Sequence, residues 1–156
     1  LDCAIRGGQM DDSSLISRHL ADCGFGIYAA PALIAKGPPI HSPDQLRHLP
    51  LVKVLGQRDG LARNWSLSCN GQTMIEDSAA RVEMDDDHGA LECALGGAGL
   101  VLIPHFAAAP HLASKALVRV LPDWSAPDRP IYVIYPSRRY VPTKLRVFLD
   151  WVAGLM

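Results

Sequence analysis

Hydrophobic positions fall into short apolar runs separated by glycine, proline and charged residues, a pattern of alternating strands and helices. Leu1 to Ile5 is expected to form a short buried strand ended by Gly7-Gly8, followed by a polar loop over Gln9 to Ser14. Ser14 to Leu20 reads as extended chain leading through Cys23 into an apolar strand over Phe25 to Ala30. Pro31 suits the first turn of a helix reaching Lys36, which Gly37-Pro38-Pro39 stops. Ser42-Pro43-Asp44 predicts another helix start, with Ser42 as cap, Pro43 at N1 and Asp44 at the positive end; it closes near Leu49-Pro50. Leu51 to Leu55 is the next strand, and Gly56 to Asn64 is a polar, irregular loop suited to the border of a site. Trp65 to Cys69 alternates into Asn70-Gly71, the favoured two-residue hairpin turn, with Gln72 to Ile75 as the returning strand.

Arg81 to Met84 alternates as a further strand. Asp85-Asp86-Asp87 precedes a helix over His88 to Leu95, whose Leu91, Ala94 and Leu95 share one face and which Gly96-Gly97 terminates. Leu100 to Ile103 is continuously apolar, as in a strand covered on both faces. Pro104 to Ser114 reads as a small Ala-rich helix or turn, Leu117 to Leu121 and Ile131 to Tyr135 as strands, and Pro142 opens a last helix through Val152. Its Leu145, Phe148, Leu149 and Val152 follow helical spacing. The alternation predicts α/β layers with a largely parallel sheet. Neither a repeat nor a low-complexity linker divides the chain, so two domains would be interleaved rather than placed in series.

The composition of the 156 residues, 49% hydrophobic and 20% charged, is that of a globular chain and excludes wholesale disorder. Fifteen basic against sixteen acidic residues give a formal charge of −1, without the basic excess by which a DNA-holding module neutralises phosphates. No apolar run approaches the ~18 residues of a membrane span, and no basic segment leads into a signal-like apolar run. Cys3, Cys23, Cys69 and Cys93 form no C-x-x-C pair and read as small buried hydrophobes, in keeping with a reducing, intracellular compartment. Leu1 stands where an initiator Met would, directly before a strand, so further residues are expected upstream.

Catalytic patterns are missing. There is no Gly-x-Ser-x-Gly elbow and no phosphate-cradling Gly-rich loop before a Lys. Gly96-Gly97-Ala98-Gly99 follows a helix and precedes a strand, the reverse of a dinucleotide loop, and reads as a helix stop and tight turn. None of His19, His41, His48, His88, His105 and His111 is paired at the i, i+4 spacing of a helical metal site. No catalytic residue, metal or cofactor is therefore expected. Asp85-Asp86-Asp87 suits helix capping better than cation binding; it repels an anion from that helix end, although one Asp could accept a ligand hydrogen bond. Arg6, at a strand end, is placed as a guanidinium that clamps a carboxylate would be, and equally as a surface or ion-paired Arg.

Five blocks, in order, resemble the effector-binding (substrate-binding) domain of LysR-type bacterial transcriptional regulators. They are DCAIRGGQMDDSSLISRHL, AAPALIAKGPPIHSPDQLRHLPLV, ALGGAGLVLIPHF, LVRVLPDW and IYVIYPSRRYVPTKLRVFLDWV, which together span nearly the whole chain. They are most similar to the large branch of CrgA-like regulators. The resemblance implies a type 2 periplasmic-binding-protein-like α/β fold: two interleaved lobes, a double crossover and a ligand cleft. Lobe I would comprise residues 1–24 and 130–156, and lobe II residues 25–129. The N-terminal winged helix-turn-helix, the linker helix and the first strand–helix units of lobe I are absent from this chain. Lobe I is accordingly expected to be incomplete, with an exposed apolar face.

The implied cleft is expected to be bordered by Arg6 and Gly7, Val54 and Leu55, Asp87 and His88, and Pro104 and His105. These positions stand at strand ends and helix starts, where backbone N–H groups are available to a small polar molecule. Arg6 is the only fixed cation of the set. The expected protein is a non-enzymatic, cytoplasmic regulator that senses a small, anionic metabolite. It would be a homodimer or homotetramer, touch DNA only through its missing N-terminal domain and have no membrane partner. The helix His88–Leu95 is the candidate for the lobe II side of the subunit interface. A transport solute-binding protein of the same fold is the alternative.

Overall fold

A computed structural model describes residues 2–8, 15–56, 60–136 and 142–154. Leu1, the expected loop over Gln9 to Ser14 and positions 57–59 of the loop after the Leu51 strand lie outside the described residues. The chain divides into two units: one formed by Leu1–Cys23 with Asp128–Met156, the other by Gly24–Pro127.

The central unit carries most of the elements. The second half of β2 (Leu15–Ala29) is followed by α1 (Pro31–Ile34), a 3-10 turn (Pro43–His48), β3 (Leu51–Val54), β4 (Trp65–Cys69), β5 (Gln72–Glu76) and β6 (Val82–Met84). Then come α2 (Asp87–Leu95), β7 (Leu100–Pro104), α3 (His105–Ala113) and β8 (Val118–Val120). Its sheet runs β8-β2-β7-β3-β6. β3 is parallel to β6 and β7, whereas β2 is antiparallel to β7 and β8. The sheet is thus mixed, which corrects the largely parallel expectation. Apolar periodicity reports which residues are covered but carries no strand direction.

β7 is buried at all five positions, as its unbroken apolar run requires. Val52, Val101 and Ile103 pack with Ala90, Leu91 and Ala94 of α2 and with Ala108 of α3. The Asp86 carboxylate caps α2 by accepting from Gly89 N at 2.8 Å. The helix ends where Gly97, at φ 75°, turns left-handed and Ala98 N donates to Cys93 O at 2.9 Å. α2 begins at Asp87, one residue before the expected start. The β4–β5 hairpin pairs Trp65 with Glu76 through Cys69 with Gln72. Asn70 and Gly71 take φ of 48° and 79°, the double left-handed geometry of a type I′ turn. At the 3-10 turn, Gln45 Oε1 reaches back to accept from Ser42 N at 3.1 Å and His41 N at 2.7 Å.

In the other unit, β1 (Ala4–Gly7) lies antiparallel to β9 (Ala126–Pro136), from Ala4 opposite Ile134 to Gly7 opposite Ile131. The chain's first strand and its closing strand therefore share a sheet, with β2 on the far side of β9. α4 (Thr143–Ala153) packs Leu145 and Leu149 on Val133, and Cys3, Leu20 and Tyr135 border that cluster. Several expectations need correction here. β1 is an edge strand rather than a buried one, and Ile5 is 49% exposed. Arg6 and Gly7 lie within β1, opposite Tyr132 and Ile131, rather than beyond its end. β2 is one continuous strand where two extended segments were expected, and β9 extends well beyond Ile131–Tyr135. The four cysteines are half-buried rather than buried, and Cys93 and Cys3 fringe apolar clusters. Val147 and Trp151 of α4 are exposed. Among the described residues, no helix is long and apolar enough to cross a membrane.

Candidate ligand-binding site

Sheet register gathers six of the eight expected positions onto one edge of the central unit. Val54 pairs with Met84 in parallel, and Leu55 N donates to Met84 O at 2.7 Å, so β3 and β6 end side by side. β3 also runs parallel to β7, with Val52 level with Val101, and β7 ends at Pro104. Beyond these carboxyl ends, α2 opens with Asp87-His88 and α3 with His105. Val54, Leu55, Asp87, His88, Pro104 and His105 thus share the edge where parallel α/β strands present ligands. Pro104 ends β7 rather than opening the helix.

The two helix starts at this edge differ in charge. α2 has Asp86 as its capping anion and Asp87 in its first turn, with Asp85 adjacent. The capping reading of this run therefore holds at Asp86. α3 has no acidic residue in its first turn and no side-chain cap. Partial positive charge at a helix N-terminus is thus offset by carboxylates at α2 but not by a first-turn carboxylate at α3. The Pro104–His105 end of the edge is the more hospitable to an anion.

Arg6 and Gly7 belong to the other unit, where both are exposed on β1. Asp2 of the same unit forms an ion pair with Lys144 at 2.7 Å. No ion pair is recorded for Arg6 among the described residues.

Two polar groups beside this edge escaped the sequence. Lys53 is 1% exposed in β3; its Nζ donates to Ser78 O at 2.7 Å and Glu76 O at 3.3 Å and lies 3.9 Å from Glu76 Oε1. Glu76, also buried, accepts from Ser78 N at 2.7 Å and from the Ser78 hydroxyl. Burial lowers the Lys53 pKa below the usual lysine value, and the charges of Glu76, Asp77 and Glu83 partly counter this. The ammonium also stands 6.0 Å from the Trp65 ring centroid. This cluster ties the end of the β4–β5 hairpin to the strand that delivers Val54-Leu55. The signal was a lone Lys inside the apolar run Leu51 to Leu55.

The second group is Tyr28, 1% exposed on β2, whose hydroxyl is 2.6 Å from His105 Nδ1. Desolvation raises its pKa above the usual phenol value, with Arg119 opposing. Among the described residues, no cluster of three or more His, Cys, Asp or Glu is arranged to hold a metal ion.

Parallel strands that carry two helix starts to one edge, with polar side chains there and a packed apolar body behind, define an α/β ligand-binding module. The chain belongs to the LysR substrate binding domain family, whose model matches residues 1–156. It is 32% identical over 155 residues to an HTH-type transcriptional repressor of Pseudomonas aeruginosa, covering 99% of this chain and 49% of that protein. The regulatory domain of CrgA from Neisseria meningitidis superposes with a TM-score of 0.85 at 26% identity, covering 99% of this chain and 75% of that one. Full-length AphB, a Vibrio cholerae virulence activator of the LysR type, gives 0.84 at 28% identity, covering 98% and 51%. The fold is therefore the type 2 periplasmic-binding-protein-like fold of LysR regulatory domains. The chain spans about half the length of the curated relative it matches, 49%. The family is one of regulatory domains, generally without enzymatic activity.

Proposed function

We propose that this chain is the effector-sensing part of a LysR-type transcriptional regulator, taking a small anionic metabolite at the edge that carries Val54, Leu55, Asp87, His88, Pro104 and His105. The observation that carries the reading is the parallel register, which brings three strand ends and two helix starts to that one edge. Arg6 and Gly7, in the other unit, are proposed as ligand contacts on the strength of the sequence resemblance, with Arg6 as the fixed cation. Ligand occupancy acts by favouring one arrangement of the regulator over another, and its leverage equals the difference in affinity between the two. In the whole regulator, DNA is held by an N-terminal helix-turn-helix domain of the kind named in the relatives, and the protein works in the cytoplasm as a homodimer or homotetramer. α2 supplies part of the subunit interface. A transport solute-binding role is not favoured, because the relatives are transcriptional regulators.

The test is a promoter-reporter assay with the full-length regulator and its effector, comparing wild type with Arg6→Ala and His105→Ala. Loss of one charge-assisted hydrogen bond in a partly desolvated site should weaken the response by about one to two decades in effector concentration. Operator affinity without effector should stay unchanged. Wild-type effector sensitivity in both variants would refute this ligand set.

A further inference from the structure

We infer that the β4–β5 hairpin is a strap: fastened to β3 at Lys53 and to the head of β9 at Ser125, it docks and releases as one piece and so couples those two strands. The use of that coupling in sensing rests on the proposed ligand reading; the strap itself does not. The hairpin is a two-stranded sheet of its own, apart from the central sheet. Alternation puts Trp65, Leu67, Met74 and Glu76 on one face. Trp65, Leu67 and Glu76 are buried, whereas Ile75 on the opposite face is exposed. A lone two-stranded hairpin is marginally stable in water, so its order comes from what the buried face is fastened to.

Two sets of polar bonds fasten it. At the end of β5, Lys53 Nζ donates to the carbonyls of Glu76 and Ser78, and the Glu76 carboxylate accepts from Ser78 N. On β4, Ser68 N donates to Ser125 O at 2.8 Å, and Ser125 N donates to Ser68 O at 3.0 Å. The main-chain groups of Ser68 thus point towards Ser125, which makes Ser68 and Thr73 a non-hydrogen-bonded pair of the hairpin. The bonds to Ser125 therefore take nothing from the hairpin's own ladder.

Register joins the two fastenings. Glu76 stands opposite Trp65, and Ser68 lies three residues further along β4, about 10 Å at the usual strand rise. Pairing is unbroken from Trp65 with Glu76 to Cys69 with Gln72, so a displacement at Glu76 is carried to Ser68. Lys53 directly precedes Val54-Leu55 of the proposed ligand edge. Ser125 directly precedes Ala126, the first residue of β9, and β9 continues into the other unit from Asp128. Lifting the strap would free both places at once.

Hydrogen exchange by mass spectrometry on the full-length regulator, with no effector added, tests this. In the wild type, peptides covering 65–69, 72–78 and 121–126 should share one opening, of lower free energy than that of the buried β7 at 100–104. Lys53→Met should speed exchange at 121–126 as well as at 72–78, by about tenfold or more. Ser125→Pro, which deletes the Ser125 N–H and no bond within the hairpin, should in turn speed exchange at 72–78. Acceleration confined to the altered end in either variant would overturn the inference. So would a wild-type hairpin that opens only together with β7, a result that needs no variant to fold. Because no effector is present, an error in the ligand assignment shows in the reporter assay and an error in the strap shows here.

Discussion

Removing the Lys53 ammonium should be among the most damaging single changes in the central unit. In Lys53→Met the stem is kept in its apolar surroundings while the charged head is deleted. Lost with it are the donations to Ser78 O at 2.7 Å and Glu76 O at 3.3 Å, and the Glu76 carboxylate is left buried without its counter-charge. Breaking a buried pair from one side costs about 3–5 kcal/mol, a large part of the roughly 5–15 kcal/mol that holds a domain folded. At a urea m-value of about 1–3 kcal/mol/M, the midpoint should fall by roughly 1–5 M. Urea unfolding followed by tryptophan fluorescence is the assay, since buried Trp65 of the hairpin stands beside the ammonium. Lys53→Met combined with Glu76→Gln should recover part of the loss, because the stranded charge is gone. A single variant within about 0.5 kcal/mol of wild type, the range of ordinary surface changes, would refute the reasoning.

The same pair sets a pH signature. The folded-state pKa of Lys53 is depressed by burial, so between that value and the unfolded 10.5 the unfolded chain binds the extra proton. Stability from this group therefore grows as pH rises through that window and is lost as pH falls through the folded value. Tyr28 acts in the opposite sense: its raised folded pKa contributes stability below 10.0 that disappears as pH climbs through the folded value. Lys53→Met should abolish the first slope and leave the second.

Two further substitutions test the frame around the ligand edge. A Cβ on Gly99 would lie 2.6 Å from Pro50 O and 2.9 Å from Pro50 C, so Gly99→Ala must push β7 off the start of β3; thermal or urea unfolding should register roughly 1–3 kcal/mol, and an unchanged midpoint would contradict the close approach. Asp86→Ala removes the α2 cap, which should cost about 1 kcal/mol and speed exchange of the Gly89 amide; unaltered Gly89 protection would show that the cap is not formed in solution.

Local chemistry was legible in the sequence wherever a few neighbouring residues decide the outcome. Asn70-Gly71 dictated the hairpin turn because both positions need φ above zero. The Leu100 run dictated a strand covered on both sides, and the spacing of Leu145, Leu149 and Val152 dictated the buried face of α4. That Val54, Asp87 and His105 each stand where a strand gives way to a helix or loop was legible too, whereas their gathering at one edge depends on the order and direction of β3, β6 and β7, which the pattern does not carry. What could not be read depends on partners far along the chain. Lys53 is neutralised by residues 23 and 25 positions away, and the Tyr28 hydroxyl is answered 77 positions away. Exposure of β1 is likewise a matter of what lies beside and above it, which an apolar pentapeptide does not declare.

The central claim, a ligand edge at the carboxyl ends of β3, β6 and β7, is tested most directly by locating a bound metabolite. A panel of small carboxylic acids screened by thermal shift on the full-length regulator would find a binder, and backbone amide shift mapping on titration would place it. The account predicts that the largest shifts fall at Val54-Leu55, Asp87-His88 and His105, together with the His105 ring nitrogens. A saturable binder whose shifts cluster elsewhere, on the β4–β5 hairpin or the outer face of α4, with this edge unmoved, would contradict it.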